Sequence, residues 1–290
     1  MTLFELTKKI CEEHHLKPSR SRGQNFLIDE NVYQDMISAA ELKGEEIILE
    51  IGPGLGFLTK ALAERTQKVF SVEIDDRLTG ISRQRLKQEG ISNVKIFNED
   101  ILNFTGQWTK ALGLLKEQNQ PWSIVANLPY SISAIFLRKF IAGNEAELLP
   151  ESLTLLLQKE VVERLVALPG NLSILGISVQ FYSKVEFIRV VKAEAFWPKP
   201  KVDSAIIRIK RDNGFKQKLL AENLTEKDFF RLVKIGFSAR RKMLKANLAA
   251  GYSLDIKEVV EMMNKAKIDI TCRPQALSLD DWLKLLAAWR

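Results

Sequence analysis

The chain has 290 residues, of which 46% are hydrophobic and 27% are charged. This length can bury a full core in one large domain plus a small one, and the composition excludes a fibrous or low-complexity protein. The formal net charge of +7 favours a polyanionic partner, although a solvated basic surface would give the same excess.

The cysteines and the N-terminal residues indicate the cellular compartment. Cys11 and Cys272 lie far apart without the spacing of a metal site, which predicts a reducing environment and no bound metal. The N-terminal segment contains Glu5, Glu12 and Glu13 and lacks the apolar core of a signal peptide. No apolar run reaches the roughly 18 residues that a membrane span needs. We therefore expect a cytoplasmic protein with no membrane attachment.

Strand and helix patterns alternate over the first two thirds of the chain. An amphipathic helix is predicted at residues 2–15, then a basic loop at 17–27 and a helix capped by Asp29. The strand patterns that follow lie at 47–51, 68–74, 93–97, 122–126, 152–157, 184–191 and 204–210. Helical patterns separate most of them, which predicts an α/β fold with helices on both faces of a sheet. The last two strands lack such a helix and are predicted to form an antiparallel pair at the sheet edge.

The strand patterns end near residue 212. Helices are predicted at 229–248, 256–266 and 278–289, and Ser278 with Asp281 resembles a capping box. The predicted organisation is therefore a sheet domain over residues 1–211 and a small helical domain over 212–290.

A glycine-rich turn follows the first of the alternating strands. Residues 47–56 read IILEIGPGLG, so an apolar strand is followed by glycines at alternate positions and then by a helical pattern. In doubly wound sheets, ligands bind beyond the carboxyl ends of the strands. Gly52 and Gly54 would let the backbone bend sharply and approach a ligand, while Pro53 would stiffen the turn. A tight connection without a ligand is the alternative interpretation.

Acidic residues stand at the ends of the next two strands. Glu73 is placed to accept hydrogen bonds from ribose hydroxyls. Asp100 could accept one from an exocyclic adenine amine, or could cap a helix beginning at residue 101. Together with the glycine turn, they favour a nucleoside ligand. The turn is GxGxG rather than GxGxxG, and no P-loop pattern is present, which argues against a nicotinamide enzyme and a triphosphatase.

The fourth strand ends in the segment NLPY, residues 127–130. The lone pair of an exocyclic base amine is delocalised into the ring, so the amine is a poor nucleophile. The Asn127 carboxamide and the carbonyls flanking Pro129 could accept its N–H groups and bias it towards a tetrahedral, nucleophilic geometry. Tyr130 offers one stacking face, and Phe196, with Trp197 as its competitor, offers a second.

Five segments in chain order resemble one enzyme family. They are GQNFL at 23–27, EIGPGLG at 50–56, NLPY at 127–130, FWPKPKVDS at 196–204 and FSARRK at 237–242. These segments are similar to those of the ribosomal RNA adenine N6-dimethyltransferases, and closest to the KsgA-type small-subunit enzymes. The resemblance implies a Rossmann-like class I S-adenosylmethionine-dependent methyltransferase sheet with a small C-terminal all-α domain. It also implies dimethylation of N6 on two adjacent adenosines in a hairpin loop near the 3′ end of 16S rRNA, during ribosome biogenesis.

The resemblance also implies roles for individual residues. S-adenosylmethionine would contact the glycine turn, including Gly54, and a set of residues that comprises Asn25, Leu27, Gly52, Glu73, Asp100 and Asn127. The target adenine would be received by Asn127, Leu128, Pro129, Tyr130 and Phe196. Trp197 departs from the family pattern, in which a smaller or polar residue would be unremarkable.

Basic side chains are candidates for contacts with RNA phosphates. Arg20 and Arg22 lie in the loop before the sheet, and Arg240, Arg241 and Lys242 cluster on a predicted helix with Lys245. A solvated helix face is the alternative. The expected partner is small-subunit rRNA or a 30S-type pre-ribosomal particle, bound by a monomer.

Three other functions are considered. The large-subunit enzymes that confer macrolide resistance share the family motifs, but the full helical tail with RPQALSL at 273–279 resembles the small-subunit group. A non-catalytic RNA-binding assembly factor would not need both an intact glycine turn and the NLPY segment. A nicotinamide-dependent dehydrogenase would be recognised by the absorbance of its cofactor.

Overall fold

The computed structural model describes residues 1–18, 24–117, 120–142 and 149–289. The chain forms two compact units. The sheet unit comprises Met1–Val162 and Val185–Arg211, and the helical unit comprises Glu163–Lys184 and Asp212–Arg290. The predicted boundary after residue 211 coincides with one of the observed boundaries, but the segment Glu163–Lys184 packs with the helical unit.

The described residues form nine strands and thirteen α-helices. The strands are β1 Phe26–Leu27, β2 Ile47–Ile51, β3 Lys68–Glu73, β4 Val94–Asn98, β5 Trp122–Asn127, β6 Ser152–Gln158, β7 Ser183–Val191, β8 Phe196–Trp197 and β9 Ser204–Arg211. The first seven helices are α1 Leu3–Glu13, α2 Glu30–Ala40, α3 Phe57–Ala63, α4 Asp76–Gln88, α5 Gln107–Glu117, α6 Ser133–Ala142 and α7 Lys159–Leu165. The other six are α8 Ile174–Gln180, α9 Gly214–Ala221, α10 Glu226–Gly236, α11 Leu244–Tyr252, α12 Ile256–Lys265 and α13 Leu279–Ala288.

The main sheet has seven strands in the order β4-β3-β2-β5-β6-β9-β7. Neighbours from β4 through β6 are parallel, and β9 is antiparallel to β6. The strand order reverses between β2 and β5, which is the position where doubly wound sheets bind ligands. The predicted α/β sheet is therefore confirmed. β7 and β9 are neighbours and β7 lies at the edge, as predicted. On its other side, β9 pairs antiparallel with β6.

Burial and capping explain why the parallel strands and their helices form here. All five residues of β2 are buried, as expected for a central strand covered on both faces. The Asp29 carboxylate accepts the backbone N–H of Asn31 at the start of α2, so the predicted cap is confirmed. The Asp75 carboxylate caps α4 in the same way by accepting from Arg77 and Leu78. Because β2 is parallel to both β3 and β5, the carboxyl ends of these three strands lie at one edge of the sheet.

A small two-stranded sheet lies outside the main one. β1 pairs antiparallel with β8, with Phe26 opposite Trp197 and Leu27 opposite Phe196. The Tyr33 hydroxyl donates to the Leu27 carbonyl at 2.9 Å and therefore ties β1 to α2. No pattern in the sequence predicted this pair, because two-residue strands have no detectable periodicity.

The predicted helix at 229–248 is wrong, because the chain forms α10 and α11 with a turn between them. The Asn247 side chain donates to the carbonyls of Gly236 (2.5 Å) and Ala239 (3.0 Å), which satisfies acceptors left open where α10 ends. The capping box of Ser278 and Asp281 at the start of α13 is confirmed.

The segment Glu163–Lys184 joins the helical unit because its apolar side chains complete that unit's core. Leu172, Ile177 and Phe181 are buried in the cluster that contains Trp282 and Phe229. Within the residues described, no helix has the length and apolar character that crossing a membrane requires.

Candidate active site

A cavity of about 140 Å³ lies at the carboxyl ends of β2, β3 and β5, within the sheet unit. It brings together most of the site residues predicted from the sequence. Those that line it are Asn25, Leu27, Gly52, Gly54, Glu73, Asn127, Leu128, Pro129, Tyr130 and Phe196. The glycine turn, the NLPY segment and β1 therefore border one and the same cavity.

The glycine turn has a backbone that only glycine adopts without strain. Gly52, Gly54 and Gly56 have φ angles of 67°, 56° and 82°, all in the left-handed region. The Gly52 N–H donates to the Val72 carbonyl at 2.9 Å, which fixes the start of the turn against β3. A Cβ at residue 54 would lie 3.5 Å from the Phe26 ring, an ordinary van der Waals contact, so the φ angle rather than crowding favours glycine there. The predicted reason for the glycines, a sharp bend beside a ligand space, is thus consistent with their geometry.

Two residues of helix α4, neither of them predicted from the sequence, donate hydrogen bonds to carbonyls of this turn. The Ser82 hydroxyl donates to the Gly54 carbonyl at 2.6 Å, and the Arg85 guanidinium donates to the Leu55 carbonyl. The Arg85 guanidinium also lies 4.3 Å from the centroid of the Phe57 ring. Their spacing of three residues places both on one helix face, but nothing in the pattern distinguishes them from solvated residues.

Glu73 ends β3 as a buried carboxylate, only 6% exposed. Its two oxygens accept the backbone N–H groups of Gly54 (3.3 Å) and Asp75 (3.0 Å). Burial raises the pKa of Glu73, and these hydrogen bonds act against that rise. An ionised carboxylate has about four lone-pair sites, so two N–H donors leave acceptor capacity towards the cavity.

Asp100 lies outside the cavity lining, unlike the other predicted cofactor residues. Its side chain is exposed, and its carboxylate accepts the Leu102 backbone N–H at 2.8 Å. The sequence left two roles open for Asp100, a contact with an adenine amine and a local cap, and the contact observed is a local cap. It caps a turn rather than a helix, since α5 begins only at Gln107.

The cavity has further polar lining that the sequence analysis did not select. Gln24 donates through its side-chain nitrogen to the Asp75 carboxylate at 3.1 Å, and both residues line the cavity. Ile74 also lines it and is 72% exposed. An exposed apolar side chain beside a cavity is a candidate ligand contact. The sequence could not reveal it, because the strand pattern predicts that residue 74 is buried.

The NLPY segment contributes one free acceptor and one fixed ring. Asn127 is half-buried at the end of β5, and its carboxamide has no hydrogen-bond partner among the residues that the structure describes. The Pro129 carbonyl already accepts from Ile132 (3.2 Å) and from the Ser133 hydroxyl (3.4 Å), which leaves Asn127 as the clearer acceptor. The Tyr130 hydroxyl lies 2.7 Å from the Ser204 hydroxyl.

The competition between Phe196 and Trp197 is decided by their positions. Phe196 lines the cavity and is 3% exposed. Trp197 lies outside the lining and packs edge-on against Phe4, with ring centroids 6.3 Å apart. The ring at the cavity is therefore Phe196.

Glu50 has a buried carboxyl group in the cavity wall. Because of this burial, we expect the free energy of unfolding to depend on pH. One of its oxygens accepts the hydroxyls of Thr59 and Ser71, each at 2.7 Å, and burial raises its pKa to about 7. An unfolded Glu has a pKa of about 4.3. The folded state thus keeps a proton that the unfolded state loses between these values, so stability should fall as the pH rises from 5 to 7, by roughly 2 kcal/mol.

Denaturant unfolding at pH 5, 6, 7 and 8 tests this expectation on the wild-type protein and on Glu50→Gln. The amide oxygen of Gln can still accept both hydroxyls without titrating, so the variant should show a flatter profile across this range. An equally steep profile in both proteins would assign the titration to another group.

The candidate RNA-binding residues are only partly described. Arg240, Arg241 and Lys242 are exposed in the turn between α10 and α11, so their predicted placement on a helix is wrong. Arg20 and Arg22 lie outside the described residues. Over the same described ranges, no group of three or more potential metal ligands is found.

Comparison with known proteins identifies the family. The sequence profile of the family described as ribosomal RNA adenine dimethylase matches residues 16–289. The chain belongs to this family. A relative from Dehalococcoides mccartyi, named ribosomal RNA small subunit methyltransferase A, is 38% identical over 98% of this chain and 92% of its own. A relative with the same name from Clostridium botulinum is 35% identical over 96% of each chain.

Solved structures of similar proteins confirm the predicted fold class. A dimethyladenosine transferase from Plasmodium falciparum superposes with a TM-score of 0.70 at 26% identity, over 89% of this chain and 94% of its own. The 23S rRNA methyltransferase ErmE superposes with a TM-score of 0.67 at 26% identity, over 91% and 99%. The sheet is that of a class I methyltransferase, and the family's cofactor is S-adenosylmethionine.

The residues at the cavity fit this cofactor. The glycine turn leaves the backbone bare towards the cavity, and the buried Glu73 carboxylate keeps acceptor capacity for ribose hydroxyls. The exposed Ile74 side chain offers an apolar surface suited to an adenine ring.

Proposed function

We propose that this protein dimethylates N6 of two adjacent adenosines in a hairpin loop near the 3′ end of small-subunit (16S) rRNA. The observation that carries the proposal is the identity of up to 38%, over nearly the whole chain, with proteins named for the small subunit. The 23S enzyme ErmE shares the fold at 26% identity, so the fold alone does not separate the two substrates. The identities favour the small-subunit substrate over the large-subunit one.

In the proposed mechanism, Asn127 is the residue that prepares the adenine amine. S-adenosylmethionine supplies an electrophilic methyl group. The Asn127 carboxamide, which lacks a partner among the described residues, accepts an N–H of the amine and biases its nitrogen towards a nucleophilic geometry. The proton becomes acidic once the methyl group is attached, so no strong general base is required.

The remaining lining residues hold the two ligands. Tyr130 and Phe196 stack against the base, and Leu128 and Pro129 complete the wall beside it. The glycine turn and Glu73 hold the cofactor, together with Asn25 and Leu27. The predicted contact of Asp100 with the cofactor stays a prediction, since its carboxylate lies outside the lining.

We further propose that the RNA is held by the basic turn of Arg240, Arg241 and Lys242, and that the protein acts in the cytoplasm as a monomer on a pre-ribosomal particle. The net charge of +7 supports a polyanionic partner. Structured RNA is recognised largely through splayed bases, shape and phosphate contacts, which an exposed basic turn can supply.

Charge reversal in this turn is expected to weaken the salt dependence of RNA binding. Each lost phosphate contact should reduce the slope of log K against log salt by about 0.7 to 0.9, so Arg240→Glu with Arg241→Glu should reduce it by roughly 1.5. The slope is measured from binding of small-subunit rRNA across a salt series. A matched control reverses Lys257 and Lys265, which are also exposed in the helical unit. An equal reduction in the control would mean that the turn has no special role.

The function is tested by methyl transfer from labelled S-adenosylmethionine to undermethylated small and large ribosomal subunits, with mapping of the modified base. The expected result is label on two adjacent adenosines of the small-subunit RNA. Label on the large subunit would support the resistance-type enzyme instead. RNA binding without any transfer would support a non-catalytic assembly factor.

A further inference from the structure

Two adjacent residues at the start of β9 are linked to the two aromatic residues of the cavity, one directly and one through the segment that precedes Phe196. They are Asp203, just before the strand, and Ser204, its first residue. β9 is separated from the point of strand-order reversal, between β2 and β5, by β6. Neither residue lines the cavity.

Ser204 holds the Tyr130 ring by its hydroxyl. The two hydroxyl oxygens are 2.7 Å apart, and Ser204 is fully buried. Burial also raises the pKa of the Tyr130 hydroxyl, so it stays protonated and able to donate. A hydrogen bond of ordinary length to this buried strand residue fixes the position of the hydroxyl and so limits the tilt of the ring in the wall of the cavity that Tyr130 lines.

Asp203 holds the segment that leads into Phe196. Its carboxylate accepts the Ala193 backbone N–H at 3.0 Å and the Lys192 ammonium at 3.0 Å. Ala193 begins a 3-10 turn that ends at Ala195, whose carbonyl accepts the Ile28 N–H at 2.8 Å. Phe196 follows directly and pairs with Leu27.

We propose that Asp203 and Ser204 are positioning residues that set the width of the base-binding slot, each through one aromatic residue. The inference rests on the proposed function, because it assigns the slot between Tyr130 and Phe196 to the target adenine. Stacking of a flipped base depends on the separation and tilt of its two neighbours. Because the two links start from adjacent residues at the beginning of β9, the two rings share a common support.

A double-mutant cycle tests the Ser204 link. The proteins are the wild type, Ser204→Ala, Tyr130→Phe and the double variant, assayed with undermethylated small subunits at saturating S-adenosylmethionine. Each single change should raise KM for the subunit about three- to tenfold, the range expected for one lost hydrogen bond. The double variant should be no worse than either single one, because all three lack the same bond. The Kd for S-adenosylmethionine should not change.

Ser152→Ala is the matched structural control. Its hydroxyl also lies within hydrogen-bond distance of another hydroxyl, that of Ser123 at 3.0 Å. Ser152 is at the amino end of β6, whereas Ser204 pairs with the carboxyl end, and neither Ser152 nor Ser123 lines the cavity. An equal rise in KM for this control, additive effects in the double variant, or a wild-type KM in Ser204→Ala would overturn the Ser204 assignment. Absence of methylation by the wild type itself would instead contradict the proposed function.

The Asp203 link is tested by comparing Asp203→Asn with Asp203→Ala. Asn keeps an oxygen for the Ala193 N–H and loses only the ion pair with Lys192, whose side chain is 73% exposed. Exposed ion pairs contribute little, so Asn should restore a KM near that of the wild type, whereas Ala should raise it several-fold. Equal impairment of both variants, or none in Ala, would overturn the Asp203 assignment.

Discussion

Asn127→Ala is expected to lower the rate of methyl transfer by about 10²-fold or more while leaving cofactor binding largely intact. The reason is that the carboxamide at the end of β5 is the acceptor that would orient the amine, and loss of orientation at a reacting atom costs about this factor. Single-turnover transfer to undermethylated small subunits measures the rate, and calorimetry measures the Kd for S-adenosylmethionine.

The control for this prediction is Asn31→Ala, which removes an exposed asparagine at the start of α2, away from the cavity. It should leave the rate of transfer unchanged. Near-normal turnover by Asn127→Ala would remove this side chain from the mechanism. A large loss of cofactor affinity in the same variant would assign its main role to the cofactor instead.

Glu73→Ala is expected to weaken S-adenosylmethionine binding by about 10- to 100-fold. Hydrogen bonds to an ionised group contribute about 1.5–3 kcal/mol, and the variant would lose those proposed to the ribose. It would also release the N–H groups of Gly54 and Asp75, which the carboxylate holds at 3.3 and 3.0 Å. Glu73→Gln keeps one carbonyl oxygen and should fall between the wild type and Ala.

Glu46→Ala provides a matched control for Glu73. The Glu46 carboxylate also accepts backbone N–H groups, those of Lys43 and Gly44, but just before β2 begins and outside the cavity lining. Its loss should not alter the Kd for the cofactor. If Glu73→Ala binds with the wild-type Kd, the proposed ribose contact is refuted.

The strands and the cavity edge were predictable because they depend on local pattern. The apolar runs that form β2 and β5 are long enough to identify buried strands, and the acid and amide that follow strands, Glu73 and Asn127, fall at one sheet edge once the strands are parallel. The caps at Asp29 and Ser278 were predictable for the same reason, since a cap acts within one helical turn.

Contacts between residues far apart in the chain were not predictable. The break between α10 and α11 depends on the Asn247 side chain reaching back to two carbonyls, and the helical periodicity runs through it. The support of the glycine turn by Ser82 and Arg85 and the bond between Tyr130 and Ser204 likewise exist only in the folded chain. Asp100 shows the converse, because a strand-end position suggests a site residue but does not fix the direction of the side chain.

The β1–β8 pair has a consequence for how the binding of one ligand changes the affinity for the other. Leu27, on the side assigned to the cofactor, lies directly opposite Phe196, on the side assigned to the base, in this antiparallel pair. If a first ligand restricts the motion of one strand, the pairing restricts that of the other as well, and the second ligand then loses less conformational entropy on binding. Thermodynamic linkage makes this effect reciprocal. RNA should thus bind more tightly to the cofactor-loaded protein, and the cofactor should bind more tightly to the RNA complex by the same factor.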